Sequence, residues 1–150
     1  MAYINGNYTT FGNAFFDVMF LKLVDKSIVE AKLDEVEAIG KYAFAYCADL
    51  EVVELPNVLT IDNNAFYNCT SLEEITLQRV TSIAGMAFSG CTALETVYIF
   101  SKPTLASTNA FPSATIIRVP EANKTYFQGA DNWSTLFNNG KIKPLSGEWA

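Results

Sequence analysis

The chain contains a repeat of 22 residues, marked most clearly by its three cysteines, which stand 22 positions apart at Cys47, Cys69 and Cys91. Three consecutive windows from residue 39 to residue 104 carry identical or similar apolar residues in the same columns. These columns are Ile39/Ile61/Ile83, Ala43/Ala65/Ala87, Phe44/Phe66/Phe88, Leu50/Leu72/Leu94, Val53/Ile75/Val97 and Leu55/Leu77/Ile99. A period of this length predicts a solenoid, in which stacked coils bury a shared core that no single coil could bury alone.

Each repeat has two halves with different apolar spacing. Val53 and Leu55 are two residues apart, which is the spacing of the inward face of a short strand. Ala43, Cys47 and Leu50 have the i, i+4, i+7 spacing of a short helical face. We therefore predict an α/β solenoid with one parallel sheet and short helices on the opposite side.

The combined pattern, I-x-x-x-A-F-x-x-C-x-x-L-x-x-V-x-L, resembles the BspA-like leucine-rich repeats of bacterial surface proteins. It runs without gaps over residues 39–101. The resemblance implies a short, curved leucine-rich-repeat stack with capping segments at both ends. It also implies a cell-surface or secreted location and a role in adhesion or recognition. Because the core columns carry the resemblance, it specifies the fold more closely than the ligand.

We expect one domain over residues 1–150, with repeat coils at 29–120 between an N-terminal cap (1–28) and a C-terminal cap (121–150). The coils include an extra strand before the first full repeat, where residues 31–36 align with 53–58. They also include a degenerate fourth coil that keeps Leu105 in the isoleucine column but places Ala-Phe one residue late.

The two caps are predicted from their apolar and turn-forming residues. The C-terminal cap is expected to contain one helix and a final strand near Ile142. The apolar residues of that helix are Tyr126, Phe127, Trp133, Leu136 and Phe137. In the N-terminal cap, Asn5-Gly6 suggests a hairpin and Ala14-Phe15 a decayed repeat.

The composition limits the possible partners. The chain has 10 Lys+Arg against 16 Asp+Glu and a formal net charge of −6. Nucleic acid and anionic membrane surfaces are therefore poor partners, since both require clustered basic charge. No apolar run approaches the roughly 20 residues of a membrane helix, so we expect no membrane insertion. The N-terminus has no basic region before its apolar stretch and does not resemble a secretory signal. This leaves open whether a signal has been removed or the protein is not exported by that route.

The chain has no histidine, the commonest general base and a common metal ligand. The cysteines lack the paired short spacing of metal sites and have no histidine to activate a nucleophile. We expect three buried, reduced cysteines that act as small apolar side chains. A disulfide would need Cα atoms within roughly 7 Å, and the odd count would leave one thiol unpaired. We predict no cofactor and no catalytic activity.

Carboxylates recur near the strands at Glu51, Glu54, Glu73, Glu74 and Glu95. Two carboxylates on one face could form an acid–base pair or a calcium site. The sequence favours a solvated acidic face, since it has neither a calcium-binding loop nor a glycine-rich phosphate loop.

The surface columns are the strongest indication of function. Residues that flank the inward pair of each strand must point outward, and across five strands they form three ladders. The ladders are Glu30/Val52/Glu74/Thr96/Ile116, Lys32/Glu54/Thr76/Tyr98/Arg118 and Asp34/Pro56/Gln78/Phe100/Pro120. From them we select as candidate binding residues Glu54, Glu74, Thr76, Gln78, Thr96, Tyr98, Phe100 and Arg118.

Tyr98 and Phe100 are the most informative members, because adjacent aromatics on a sheet are costly unless they are covered or used. Arg118 is placed where it could stack on Tyr98, and Arg and aromatics are typical interface anchors. The alternative is that the C-terminal segment folds over both aromatics as part of its cap.

Two functional hypotheses follow from these observations. The first is a non-catalytic binding module that recognises a protein or glycan through its strand face. The second is a structural or self-associating component of a non-exported assembly, such as a mobile element or a virion. A signal peptide in the full gene would exclude the second hypothesis.

Overall fold

A computed structural model describes residues 27–149 in full and the backbone of two further strands, residues 2–5 and 10–11. The predicted repeat at Ala14-Phe15 lies outside the described residues. The described strands form two parallel sheets, which are joined by turns into a solenoid.

The larger sheet has seven strands, one from each coil and a last one from the C-terminal cap. In spatial order they are β1 (Ala2–Asn5), β3 (Ile28–Lys32), β5 (Val52–Leu55), β7 (Glu74–Leu77), β9 (Thr96–Ile99), β11 (Ile116–Val119) and β12 (Ile142–Pro144). Neighbouring strands pair in the predicted register: Glu54 faces Thr76, and Thr76 faces Tyr98. This confirms the 22-residue period as the structural unit.

A second sheet of very short strands runs beside the first and was not predicted. Its five strands are β2 (Thr10–Phe11), β4 (Ala38–Ile39), β6 (Thr60–Ile61), β8 (Ser82–Ile83) and β10 (Thr104–Leu105). The isoleucine column lies in this sheet, and Leu105 pairs with Ile83 as the period requires. Among the described strands, five of the coils therefore contribute two each, and the coil of β11 contributes one. Between the two strands the chain bends at residues such as Val58, which is buried.

The short helices predicted opposite the larger sheet are replaced by turns in the three full repeats. In the first repeat, backbone N–H groups donate to the next coil: Phe44 N to Ala65 O at 2.7 Å, and Tyr46 N to Tyr67 O at 2.7 Å. These bonds between coils replace the i to i−4 bonds of an α-helix. Among the coils within residues 27–149, the fourth alone has a short 3-10 helix here, at Thr108–Ala110, where its Ala-Phe pair falls one residue late.

These turns require left-handed backbone at two positions of every repeat. The first position holds Tyr42, Asn64 and Met86, with φ of 57°, 56° and 59°. The second holds Tyr46, Asn68 and Gly90, with φ of 63°, 58° and 78°. Asn and Gly tolerate this conformation, whereas Tyr and Met are strained in it by about 1–2 kcal/mol.

The core is a continuous column of aromatic rings. Phe66 stacks between Phe44 and Phe88, with ring centroids 5.2 Å and 5.1 Å away and planes within 2° of parallel. Phe111 continues the stack at 5.4 Å from Phe88, and Trp133 closes it at 6.2 Å from Phe111. All three full repeats thus bury the same residue in the same orientation.

The C-terminal segment closes the end of the stack with two short helices rather than the one predicted. These are α1 (Lys124–Gly129) and α2 (Trp133–Asn138), separated where Asn132 adopts a φ of 60°. Tyr126 Oη and Trp133 Nε1 donate to the carbonyl oxygen of Pro103 at 2.8 Å and 2.6 Å. The final strand near Ile142 is present as β12.

Aromatic and indole contacts also protect the last strand. Trp149 Nε1 donates to the carbonyl oxygen of Ile142 at 3.0 Å, and its ring lies 5.7 Å from that of Phe137. Lys124 Nζ sits 5.1 Å above the Trp149 ring. The C-terminal edge strands of the two sheets, β12 and β10, therefore accept hydrogen bonds from cap side chains, as expected of an edge protected against further pairing.

The predicted N-terminal hairpin at Asn5-Gly6 is wrong. β1 pairs in parallel with β3, and β2 pairs in parallel with β4 in the other sheet. The two strands therefore form part of a further coil and do not pair with each other.

Candidate functional site

The outer face of the larger sheet carries the candidate residues, which we call the strand face. In β5 and β7 the side chains alternate between exposed and buried, so Glu54, Glu74 and Thr76 point to solvent. In β9 and β11 the outward positions are half-buried: Thr96, Tyr98 and Arg118. Alternation of this kind follows directly from the two-residue period of a strand.

The strand registers place the predicted ladders side by side. Glu74 faces Thr96, and Thr96 faces Ile116. Tyr98 lies between Thr76 and Arg118. Gln78 and Phe100 immediately follow β7 and β9, and both are exposed. The structure therefore gathers all eight candidate residues on one surface.

One end of the strand face is acidic. A depression of about 510 Å³ lies over β5 and β7, and its lining includes the carboxylates of Asp34, Glu51, Glu54 and Glu74. Val52, which is 42% exposed, provides an apolar surface among them. The carboxylates are exposed, so this is an open, negatively charged groove and not an enclosed pocket.

A single lysine neutralises part of this acidic end. Lys32 Nζ lies 2.9 Å from Glu30 Oε1 and 3.4 Å from Glu54 Oε1. Hydrogen bonds to Glu30 and then to Glu54 raise the pKa of Lys32 above its usual value. No other ion pair within residues 27–149 involves the groove. Asp34 and Glu74 therefore have no cationic partner in this part of the chain.

The other end is aromatic and basic. Phe100 remains 45% exposed, so the C-terminal segment does not cover it. Asn123 of that segment reaches only the Phe100 backbone, with Nδ2 3.3 Å from the carbonyl oxygen. Arg118 was placed where it could stack on Tyr98, but the structure shows no such contact. Its Nη1 instead donates to the carbonyl oxygen of Pro144 at 2.8 Å. The guanidinium is therefore anchored to the next strand along.

Two contributors to this surface were missed by the sequence reasoning. Lys143 extends the second ladder by one strand, because β12 pairs in parallel with β11 and brings Lys143 opposite Arg118. The sequence predicted a strand near Ile142, but it did not show which residue of that strand lies opposite Arg118. Val52 was placed in a ladder but was not selected as a binding candidate.

The cysteines lie away from the strand face and are buried, as predicted. Cys69 Sγ donates to the carbonyl oxygen of Phe44 at 3.1 Å, and Cys91 Sγ to that of Phe66 at 2.9 Å. Each thiol thus links its coil to the preceding one. The neighbouring Cys91 thiol and burial together raise the pKa of Cys69 well above its ordinary value of 9.0, which suppresses the reactive thiolate.

The described part of the chain offers no cluster of His, Cys, Asp or Glu that could hold a metal ion. Of the helices in the same residues, none is long and apolar enough to cross a membrane.

Two parallel sheets built from stacked coils, a 22-residue period and a core aromatic in each full coil define a solenoid of the leucine-rich-repeat class. The sequence matches the BspA type leucine rich repeat region over residues 24–130, in 6 copies, and the chain belongs to this family. This confirms the resemblance drawn from the repeat columns.

A solved structure with a similar fold is that of the pneumococcal vaccine antigen PcpA. The TM-score is 0.54 and the sequence identity 18%, with 82% of this chain covered. The chain spans 36% of the length of that PcpA chain. At this identity the similarity concerns the fold alone. Among curated proteins, none matches this sequence.

Proposed function

We propose that the protein is a non-catalytic recognition module that binds a macromolecular ligand through its strand face. The observation that carries this proposal is the exposure of Phe100 on an otherwise regular sheet surface, beside the half-buried Tyr98. A large apolar side chain in such a position costs solubility without adding to the core, and aromatics of this kind are typical interface anchors. Membership of the BspA-type family supports the same conclusion.

The dimensions of the strand face suit a ligand segment. Six strands from β3 to β12 carry outward side chains, and at about 4.8 Å per strand they span about 24 Å. Four residues of strand add about 13 Å in the other direction. This footprint, about 310 Å², is well below the roughly 800 Å² per partner of a standard protein–protein interface. We therefore expect a stretch of polypeptide or glycan to bind rather than a broad, flat protein surface.

We further propose that the protein acts at the cell surface or after secretion, because the family resemblance implies that setting. The alternative role in self-association makes a different prediction, since it requires one copy to be the ligand of another. The experiment below separates the two.

The test measures binding of the wild type and of Tyr98→Ala/Phe100→Ala to an array of extracellular-matrix proteins and glycans. Tyr46→Ala serves as control, because Tyr46 is 57% exposed on the turn side, away from the strand face. We expect the double variant to lose binding that the control retains. Thermal melting of all three proteins checks that the fold is unchanged.

Binding that survives in the double variant would contradict the proposal. So would the absence of any ligand combined with concentration-dependent oligomers in sedimentation velocity, which would favour the self-association hypothesis. A double variant that melts several degrees below the wild type would show that the two aromatics belong to the fold.

A further inference from the structure

The strand face changes its chemistry from one end to the other. Over β5 and β7 the outward groups include the carboxylates of Glu54 and Glu74 beside the exposed Val52. Over β9, β11 and β12 they include Tyr98, Phe100, Arg118 and Lys143. A ligand that crosses the strands therefore meets an acidic region and then an aromatic, basic region.

Three of the four carboxylates that line the acidic groove form no ion pair within residues 27–149 and can face a ligand. Lys32, the cation paired there within residues 27–149, is shared between Glu30 and Glu54. Arg79, on the bend just beyond β7, donates to Asn57 Oδ1 at 2.9 Å and contributes to no ion pair in the described chain. Several unpaired carboxylates on one groove attract cationic groups and raise their rate of association.

The cations at the other end are already occupied in part. Arg118 donates to Pro144, and Lys143 Nζ lies 2.7 Å from Glu148 Oε2. Their roles within the fold leave Phe100, at 45% exposure, as the most accessible group at this end. The ligand contact here is therefore mainly apolar.

The spacing between the two regions is fixed by the sheet. Glu54, Thr76 and Tyr98 occupy neighbouring strands in one ladder, so Glu54 and Tyr98 are two strand spacings, about 10 Å, apart. An extended polypeptide advances about 3.3 Å per residue, so three residues cover this distance.

Building on the proposed recognition function, we propose that the ligand is a polypeptide segment that carries a Lys or Arg about three residues from an aromatic or large aliphatic side chain. The cation lies in the acidic groove over β5 and β7, and the apolar group rests on Phe100 and Tyr98. Charge complementarity selects this class over its competitors. A neutral glycan leaves the carboxylates unpaired, and an acidic glycan is repelled by them and by the net charge of −6.

The test uses fluorescein-labelled octapeptides and fluorescence anisotropy. The probe has two lysines with a phenylalanine three residues after the second, and all its other residues are Gly or Ser. Two matched control probes each carry one change. In the first, glutamates replace the lysines; in the second, the phenylalanine directly follows the second lysine. Each is titrated with the full chain at 50 and 300 mM NaCl.

The protein variants remove carboxylates without altering shape. Glu54→Gln/Glu74→Gln neutralises two groups of the groove, and Glu121→Gln/Asp131→Asn neutralises two exposed carboxylates of the C-terminal cap as a matched control. We expect the lysine probe to bind at least about tenfold more tightly than the glutamate probe, and its affinity to fall at high salt. The groove variant should lose about fivefold or more in affinity, and the cap variant less than about twofold.

Equal binding of the lysine and glutamate probes would overturn this inference, as would equal losses in the groove and cap variants. Indifference to the position of the phenylalanine would overturn the proposed spacing. If a neutral glycan or an acidic protein from the array binds in a manner that depends on Tyr98 and Phe100 but not on Glu54 and Glu74, the inference fails while the proposed function stands. If no ligand depends on either pair, both fail.

Discussion

Truncation of the central ring of the aromatic column, Phe66→Ala, should destabilise the protein by about 3–5 kcal/mol. Phe66 is completely buried and stacks on rings in both neighbouring coils. Loss of a fully buried aromatic side chain accounts for about 1.5–3 kcal/mol of transfer free energy. Each ring–ring contact adds about 0.5–1.5 kcal/mol, and two are lost at once. Together these terms give about 2.5–6 kcal/mol, which brackets the expected range. The adjacent coils are held by their own backbone hydrogen bonds and cannot close the cavity, so the loss should not fall at the low end.

The assay is equilibrium unfolding in urea, followed by circular dichroism for the sheets and by tryptophan fluorescence for the C-terminal end, where Trp133 and Trp149 lie. Coincident transitions from the two probes would justify a single free energy of unfolding. Phe100→Ala is the matched control: it removes the same ring from an exposed position and should change stability by less than about 0.5 kcal/mol.

A loss below about 1.5 kcal/mol for Phe66→Ala would refute the argument, because it would mean that the ring is not enclosed by two neighbours as described. Equal losses for Phe66→Ala and Phe100→Ala would refute the distinction between the core column and the strand face.

Three further predictions concern the turns and the thiols. Met86→Asn should raise the free energy of unfolding in urea by about 0.5–1 kcal/mol, because Met86 is exposed and has a φ of 59°, which Asn tolerates better. Met86→Ala is the control: it keeps a residue that disfavours this φ and should not reproduce the gain. The Cys69 thiol should react with a thiol reagent only after unfolding, and fast labelling of native protein would contradict its burial. Since its pKa is raised in the folded state, its contribution should leave stability unchanged below pH 9.0 and lower it as the pH rises further, measured as the urea midpoint of the wild type against Cys69→Ala.

The sequence predicted those parts of the fold that repeat. The columns of Phe44, Phe66 and Phe88 specify both the period and the stacking, since identical residues at identical spacing have one way to lie upon each other. The registers of the larger sheet followed from the same alignment. The alignment also gave the shared column of Leu105 and Ile83, although the sheet in which they pair was not predicted.

The turns opposite the sheet were not predictable from local preference. Tyr42, Tyr46 and Met86 are poor choices for left-handed backbone, and the spacing of the apolar residues around them favours a helix. Hydrogen bonds to the next coil, such as Phe44 N to Ala65 O, override that preference. Only Asn64, Asn68 and Gly90 hinted at the true conformation, because these residues accept a positive φ.

The sequence predicted which side chains of the candidate surface point outward, but not how exposed each of them is. Alternation along β9 indicated that Tyr98 points outward, whereas the exposure of Phe100 depends on the path of the C-terminal segment beyond Asn123. That path is fixed by contacts between residues distant in sequence, such as Trp133 with Pro103, which have no periodic signature.

Because the C-terminal cap contacts the last coils, the number of repeats before those coils can change without changing the cap. Within residues 27–149, its side chains donate to carbonyl groups of the last coils, at Phe100, Pro103 and Leu105, and to none of the first two full repeats. A copy of the window 61–82 inserted after residue 82 would therefore lie between the original window and the window 83–104, share their core columns, and leave every cap contact in place. Each inserted unit would widen the strand face by about 4.8 Å, so a single duplication within the gene enlarges the surface without any redesign of its ends.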